Sequence, residues 1–288
     1  MPSENSLKRP EKFTPFTKRG PWDGKIQHMK LMFSLILALS FNATAALKEA
    51  EFDGVLSRIE THYAPVFAAK GMELSLRKLW SLNDRYLDAQ FENKTGPRIV
   101  RVFGGYARMP NMTKDALLLA TCHEIGHHLG GYPLFNDEWA SAEGQADYFA
   151  SSKCMRNVLK NDSENRLVNE RKINRSVKNK CRSQFALDDD YKICLRTIVA
   201  AEICAKSLYA IRNERVPVFF GASYPNRNAV VETDLTATDN QCRFDTFLSG
   251  ALCKVDSTIE MNNSDETIGT CGFDEIGARP KCWFKSGF

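Results

Sequence analysis

His123-Glu124-Ile125-Gly126-His127 sets two imidazoles four positions apart with a carboxylate beside the first. A helix turns about 100° per residue, so the two rings lie one turn apart on the same face. Rings so placed can share a metal ion, and Glu124 can reach a water on that ion. The histidine supply limits the rest of the ligand set. The chain has five, His28, His62, His123, His127 and His128. His128 points about 100° away from its neighbour, so it and His127 do not easily ligate one ion. Pro133 stands where a longer spacing would need a third histidine. Two imidazoles and one carboxylate are the expected set.

The carboxylate comes from the next predicted helix, about Trp139 to Met155. Its apolar stripe runs through Trp139, Ala142, Ala146 and Phe149/Ala150, and Glu143 and Asp147 fall on that same face. Burying a carboxylate costs several kcal/mol unless a charge or hydrogen bonds compensate it. A metal held by the first helix supplies that compensation. Glu143 is therefore the expected third ligand. Asp147, one turn on, is expected to accept a hydrogen bond from the other ring nitrogen of a ligand histidine. The fourth position is left to water, which is the arrangement of catalytic zinc, so the expected cofactor is one Zn2+ per chain.

The first helix has its own signals. Thr113 suits an N-cap, Asp115 complements the helix dipole, and Gly130-Gly131 supply a stop. Ala116, Leu119 and Ala120 lead into His123 at helical spacing, so both histidines face inward.

His-Glu-x-x-His followed by a helix reading Glu143-Gly144-Gln145-Ala146-Asp147 resembles the gluzincin class of zinc metallopeptidases, and the Glu-x-x-Ala-Asp wording is most similar to its HtpX-like branch. The resemblance covers about residues 97–155. It implies Glu124 as general base, His123, His127 and Glu143 as zinc ligands, and Asp147 orienting His123. The chain departs from the HtpX type in carrying no membrane-spanning stretch around the site, and its cysteine-rich second half has no counterpart there. That half is similar to exported, cysteine-rich bacterial proteins with the same motif. By this resemblance the fold is α+β and zincin-like, a small mixed sheet packed on the motif helix and a second ligand-bearing helix. The strand at 98–106 would be the edge along which an extended peptide is laid.

The expected reaction is peptide-bond hydrolysis. Glu124 takes the proton of the attacking water and passes it to the leaving amine. The tetrahedral oxyanion needs a further donor, for which Tyr209, Tyr224 and Arg279 are the candidates. Two rival classes stand beside this one, a zinc hydrolase of a non-peptide or cell-wall amide and a non-catalytic, zinc-stabilised binding protein. A purely structural site needs no base and fills its fourth position with protein, so Glu124 argues against the second rival.

Residues 1–28 are polar, basic and proline-punctuated. Met29-Lys30, the apolar run Leu31 to Phe41 and Ala43-Thr44-Ala45 then have the parts of a secretory signal peptide. The run is short for a membrane span, although an uncleaved anchor is the rival reading. Either Met29 is the true start or the first 28 residues form a long leader. No cysteine near the cleavage site marks a lipoprotein. The first 45 residues hold seven of the 39 Lys/Arg and three of the 35 Asp/Glu, leaving 32 of each. The overall charge of +4 is thus no argument for nucleic-acid binding. The expected partner is a peptide or protein substrate, with no membrane association after cleavage and a periplasmic or secreted location.

All nine cysteines follow the leader, from Cys122 to Cys282. In an exported chain they imply up to four disulfides and one spare thiol. Cys122 could be a redox-sensitive thiol beside the metal or a structural half-cystine. Residues 46–212 read as the catalytic domain. A helix at 47–62 ends at Pro65, and strands follow at 72–80, 85–92 and 98–106, with a turn at Asn93-Lys94-Thr95-Gly96-Pro97. Gly104-Gly105 allow a close backbone approach. A polar excursion spans 156–189, and a helix runs from Tyr191 to Arg212. Residues 213–288 read as a cysteine-rich, loop-rich extension packed on that domain.

Overall fold

The computed structural model describes residues 46–91, 96–135 and 139–287. The leader lies outside these residues, as do Asn93, Lys94 and Thr95 of the expected turn.

Helix α1 (Glu49–Ala69) buries Phe52, Val55, Leu56, Ile59, Tyr63 and Phe67 along one stripe. It does not stop at Pro65, which sits inside it. An interior proline costs about 3 kcal/mol. Phe67, fully buried two residues further on, recovers roughly 1.5–3 kcal/mol of that. The three strands fall inside their expected windows: β1 (Leu74–Leu79), β2 (Leu87–Phe91) and β3 (Arg98–Phe103). Their order is β1-β3-β2, with β1 parallel and β2 antiparallel to β3. The strand expected at the edge is therefore the central one. The reason is in its burial, since Ile99, Val100, Val102 and Phe103 are buried on both faces, whereas every residue of β2 is partly exposed. The edge that borders the candidate site is β2. Gly104 and Gly105 open a short helix, α2 (Gly104–Ala107), and the backbone that approaches them is the chain's own. A Cβ on Gly104 would stand 1.9 Å from the Trp80 carbonyl oxygen.

Helix α3 (Lys114–Leu129) carries the His-Glu-x-x-His motif and is capped by the Thr113 hydroxyl, which accepts from the Ala116 amide. The second motif helix begins at Glu143, not Trp139: α4 (Glu143–Phe149) passes through one widened turn (Ala150–Cys154) into α5 (Met155–Leu159). Residues 139–142 are pinned across the end of α3 before it. Ser141 N donates to His127 O, Ala142 N to Pro133 O, and the Ser141 hydroxyl to Gly131 O.

The polar excursion holds two short turns and α6 (Arg175–Gln184). Helix α7 (Asp188–Ile211) starts three residues early, because Asp188, Asp189 and Asp190 suit the positive end of its dipole. The cysteine-rich segment departs most from its loop-rich reading. It contains a 13-residue helix, α8 (Asn240–Leu252), capped by the Asp239 carboxylate. Its Phe244, Phe247, Leu248 and Ala251 share one core with Leu119 and Tyr148.

The disulfides are Cys122–Cys154, Cys181–Cys194, Cys242–Cys282 and Cys253–Cys271, and Cys204 is a buried free thiol. Cys122 is thus a structural half-cystine and not a thiol beside the site. Four disulfides favour an oxidising, exported environment. Among the described residues no helix is long and apolar enough to cross a membrane.

Candidate metal centre

The two motif helices meet through a residue that has no side chain. A Cβ on Gly126 would lie 2.8 Å from the Ala146 carbonyl oxygen, so α4 rests directly on the backbone of α3. Gln145 fixes the crossing by donating from Nε2 to Gly130 O at 2.7 Å, at the end of α3. This brings Glu143 over the histidine face.

Each histidine is then turned by its outer nitrogen. His127 Nδ1 lies 2.8 Å from Ser141 O, an acceptor, so this nitrogen carries the proton and Nε2 the lone pair. His123 Nδ1 lies 2.6 Å from Asp147 Oδ1, which keeps a proton on that nitrogen and leaves Nε2 as the one a metal would take. Both Nε2 atoms face Glu143, His123 at 3.4 Å from Oε2 and His127 at 3.6 Å from Oε1. One ligand atom from each of the three residues lies within 4.8 Å of the other two. A tetrahedral cation about 2.1 Å from its ligands sets neighbouring ligand atoms about 3.4 Å apart. The donor types and spacings therefore fit a metal ion.

The electrostatics favour a positive charge there, which without an ion is the second proton of the His123 ring, a proton that a bound metal would displace. Burial alone would lower the pKa of the His123 ring, but the Asp147 charge and hydrogen bonds to Asp147 and Glu143 raise it to about 10. Burial and the His123 charge bring His127 down to about 4. Burial would also favour neutral Glu143, yet His123 and Arg243 hold its carboxyl well below the usual carboxylate range. Glu124, 7% exposed, has its pKa raised by burial to about 7.

Arg243 of α8 is the member of this cluster that the sequence reading missed. It donates to both oxygens of Asp147, at 2.8 and 2.7 Å, and its Nη2 is 3.4 Å from Glu143 Oε2. One signal could have found its helix: the Asp239 cap followed by Phe244, Phe247, Leu248 and Ala251 at helical spacing. The three expected oxyanion donors lie elsewhere. Tyr209 packs its ring on Phe220, and Tyr224 is exposed beside Phe219. Arg279 is a buried brace, donating to Gln145 Oε1 and Glu266 O with its guanidinium over Phe284. None of them lines the cavity at the cluster. His128 stays out of the cluster, as expected, with Nε2 3.3 Å from Ile99 O and its ring stacked on Trp139.

The cavity at the cluster measures about 740 Å³. Glu124, His123 and His127 form its floor, the β2 edge one side, and α7, α8 and Leu235–Ala237 the other. No protein-family model, curated protein or solved structure matches the chain.

Proposed function

We propose that the chain is an exported, zinc-dependent endopeptidase of gluzincin type with a zincin-like catalytic core. The observation that carries this reading is the pair of tethered imidazoles. Their Nδ1 atoms are committed to Ser141 O and Asp147, and their Nε2 lone pairs converge with Glu143 beside the buried Glu124. Two imidazoles, one carboxylate and a position left for water form a catalytic zinc donor set. When bound, zinc acidifies water and polarises a carbonyl.

The residues of the chain have distinct tasks. His123, His127 and Glu143 hold the ion. Glu124 takes a proton from the attacking water on a carboxylate oxygen and hands it to the leaving nitrogen. Asp147 keeps the proton of His123 on Nδ1. Arg243 Nη2 neutralises Asp147 and offers a cationic donor toward the cavity. The β2 edge, at Leu87, Asp88 and Ala89, can hydrogen-bond an extended peptide as a further strand. A cavity of about 740 Å³ supports a peptide substrate over the narrow pocket that a small amide would need. The oxidised disulfides support a periplasmic or secreted location.

The test is digestion of an unfolded protein mixture by the purified, oxidised chain, read by mass spectrometry, beside Glu124→Gln and a chelated sample. The expected result is cleavage by the native chain alone, with Glu124→Gln still binding one zinc. Zinc bound without cleavage would turn the reading toward a non-peptide hydrolase, and absence of bound zinc would refute it.

A further inference from the structure

A second cavity, of about 700 Å³, is walled by α1, the C-terminal end of α3, the α4 helix with its widened turn, and the 257–264 loop. Trp139 stands in the wall of both cavities, and His128 and Leu129 belong to the same helix as the metal cluster. Three fixed cations face this space from its wall: Lys70, Arg98 and Lys153. Among the described residues Glu260 is the one carboxylate on the wall, and Lys70 takes it at 2.6 Å. Among the described residues neither Arg98 nor Lys153 has a carboxylate at ion-pair distance, and the Asp256 charge acts on Lys153 only from further off. Arg98 rests Nε on the Met72 sulfur and its guanidinium over the Phe91 ring, while its Nη1 has no hydrogen-bond partner. Lys153, 2% exposed, donates to one carbonyl, Asp256 O, and burial lowers its pKa to about 8.

Two neutral groups on the wall are unsatisfied as well. The Tyr63 hydroxyl, near the Asn157 side chain, and His128 Nδ1 have no well-formed hydrogen bond. Buried polar groups are almost always paired, and an unpaired buried cation is costly. Three of the six unpaired buried side-chain atoms among the described residues belong to this one wall. About half of the remaining wall is apolar, from Val66, Met72, Leu129, Phe149, Ile259 and Met261, and the rest is polar but uncharged. A ligand for it must bring a negative charge and a comparable amount of apolar surface. An inorganic anion would leave that apolar surface wet, and an uncharged apolar molecule would leave the cations unpaired.

We propose that this cavity is a binding site for an amphipathic monocarboxylate, whose charge is met by Arg98 and Lys153 and whose apolar body lies against Val66, Leu129 and Phe149. The site is independent of the peptidase reading. Octanoate is the probe, titrated into the oxidised full-length chain by calorimetry and thermal denaturation, with octanol and inorganic phosphate as comparisons. The expected result is one octanoate per chain and a raised Tm, with octanol and phosphate each at least tenfold weaker. Arg98→Gln and Lys153→Gln should each weaken octanoate at least tenfold, and removal of metal by chelation should leave binding in place. Octanol or phosphate binding as tightly as octanoate would overturn the proposal without any variant. So would the absence of binding at millimolar octanoate, binding unchanged in both variants, or binding lost on chelation, which would place the carboxylate on the metal instead.

Discussion

Arg243 closes a two-pronged grip on Asp147, from Nε to Oδ2 at 2.8 Å and from Nη2 to Oδ1 at 2.7 Å. Asp147 is fully buried and also binds His123 Nδ1 at 2.6 Å. One carboxylate thus sits between a guanidinium and an imidazole, and the orientation of His123 depends on a helix 96 residues further along the chain.

Arg243→Lys keeps the charge but loses the planar fork that holds both oxygens. Loss of a group that orients a metal ligand typically costs 10–100-fold in metal affinity or activity, and about that fall in zinc affinity is expected. Arg243→Met removes the charge and should destabilise the fold by about 3–5 kcal/mol, because it strands one partner of a buried pair. Chelator competition and thermal denaturation check the two variants. Unchanged zinc affinity in Arg243→Lys would remove Arg243 from the site's design.

Gly126 and Gly54 make a matched pair. Both lie inside helices, where alanine is intrinsically favoured by up to about 1 kcal/mol. At Gly54, in α1, a Cβ meets nothing within 4 Å, so Gly54→Ala should stabilise by roughly 0.5–1 kcal/mol. At Gly126 the Cβ would stand 2.8 Å from the Ala146 carbonyl oxygen, and backbone cannot swing aside as a side chain can. Overpacking costs of about 1–3 kcal/mol should win there, and the displaced α4 should carry Glu143 away and weaken zinc binding. Denaturant melts and zinc titrations of both variants decide between propensity and packing. Stabilisation by Gly126→Ala with full zinc affinity would show that the crossing is not held by this contact.

Much of the candidate metal cluster was legible because its members are local. His123, Glu124 and His127 share one helix turn, and Glu143 and Asp147 share another, so the 3.6-residue period alone puts each set on one face. The strands were legible for the same reason, although their order was not. β3 is central because its residues are apolar on both faces, a clue that outranks its nearness in sequence to the motif helix. Arg243 was hidden by distance. Its partners lie about a hundred residues back, and no local period links an arginine among cysteines to a carboxylate on another helix. Pro65 shows the reverse failure, a strong local stop signal overridden by the burial of Phe67.

The Cys122–Cys154 bridge joins the residue before His123 to the widened turn that follows α4, across 32 positions. Removing a native bridge typically costs about 2–5 kcal/mol, largely by freeing the unfolded chain. A Cys122→Ala/Cys154→Ala double variant should therefore melt earlier. Its folded form should still bind zinc within a few-fold of the native chain, because the Gly126–Ala146 contact and the Gln145–Gly130 hydrogen bond still hold the two helices. Melting followed by a zinc titration well below the midpoint separates the two effects. A large loss of zinc affinity in the still-folded variant would show that the bridge itself sets the site's geometry.

Far from the metal cluster, Asp162 ties three parts of the fold together. It accepts from Arg58 of α1 and Arg196 of α7, each at 2.8 Å, and from the Glu164 amide at 3.0 Å. Burial would raise its pKa, but the hydrogen bonds from Arg196, the Glu164 amide and Arg58 outweigh that and lower it to about 2, against 3.8 ordinarily. A folded-state value below the unfolded one means that the native state holds its proton less tightly. The stability it contributes is present above about 3.8 and is lost as pH falls toward about 2. Asp162→Asn, which mimics the protonated form, should cost about 1.5–3 kcal/mol at pH 6, the usual range for a hydrogen bond to a charged group. The gap between native and variant should then close between pH 4 and pH 2, since the native side chain becomes neutral there too. Urea melts of both chains across this range measure the gap directly. A gap that stays constant with pH would mean that shape and hydrogen-bond count at residue 162, not its charge, hold α1 to α7.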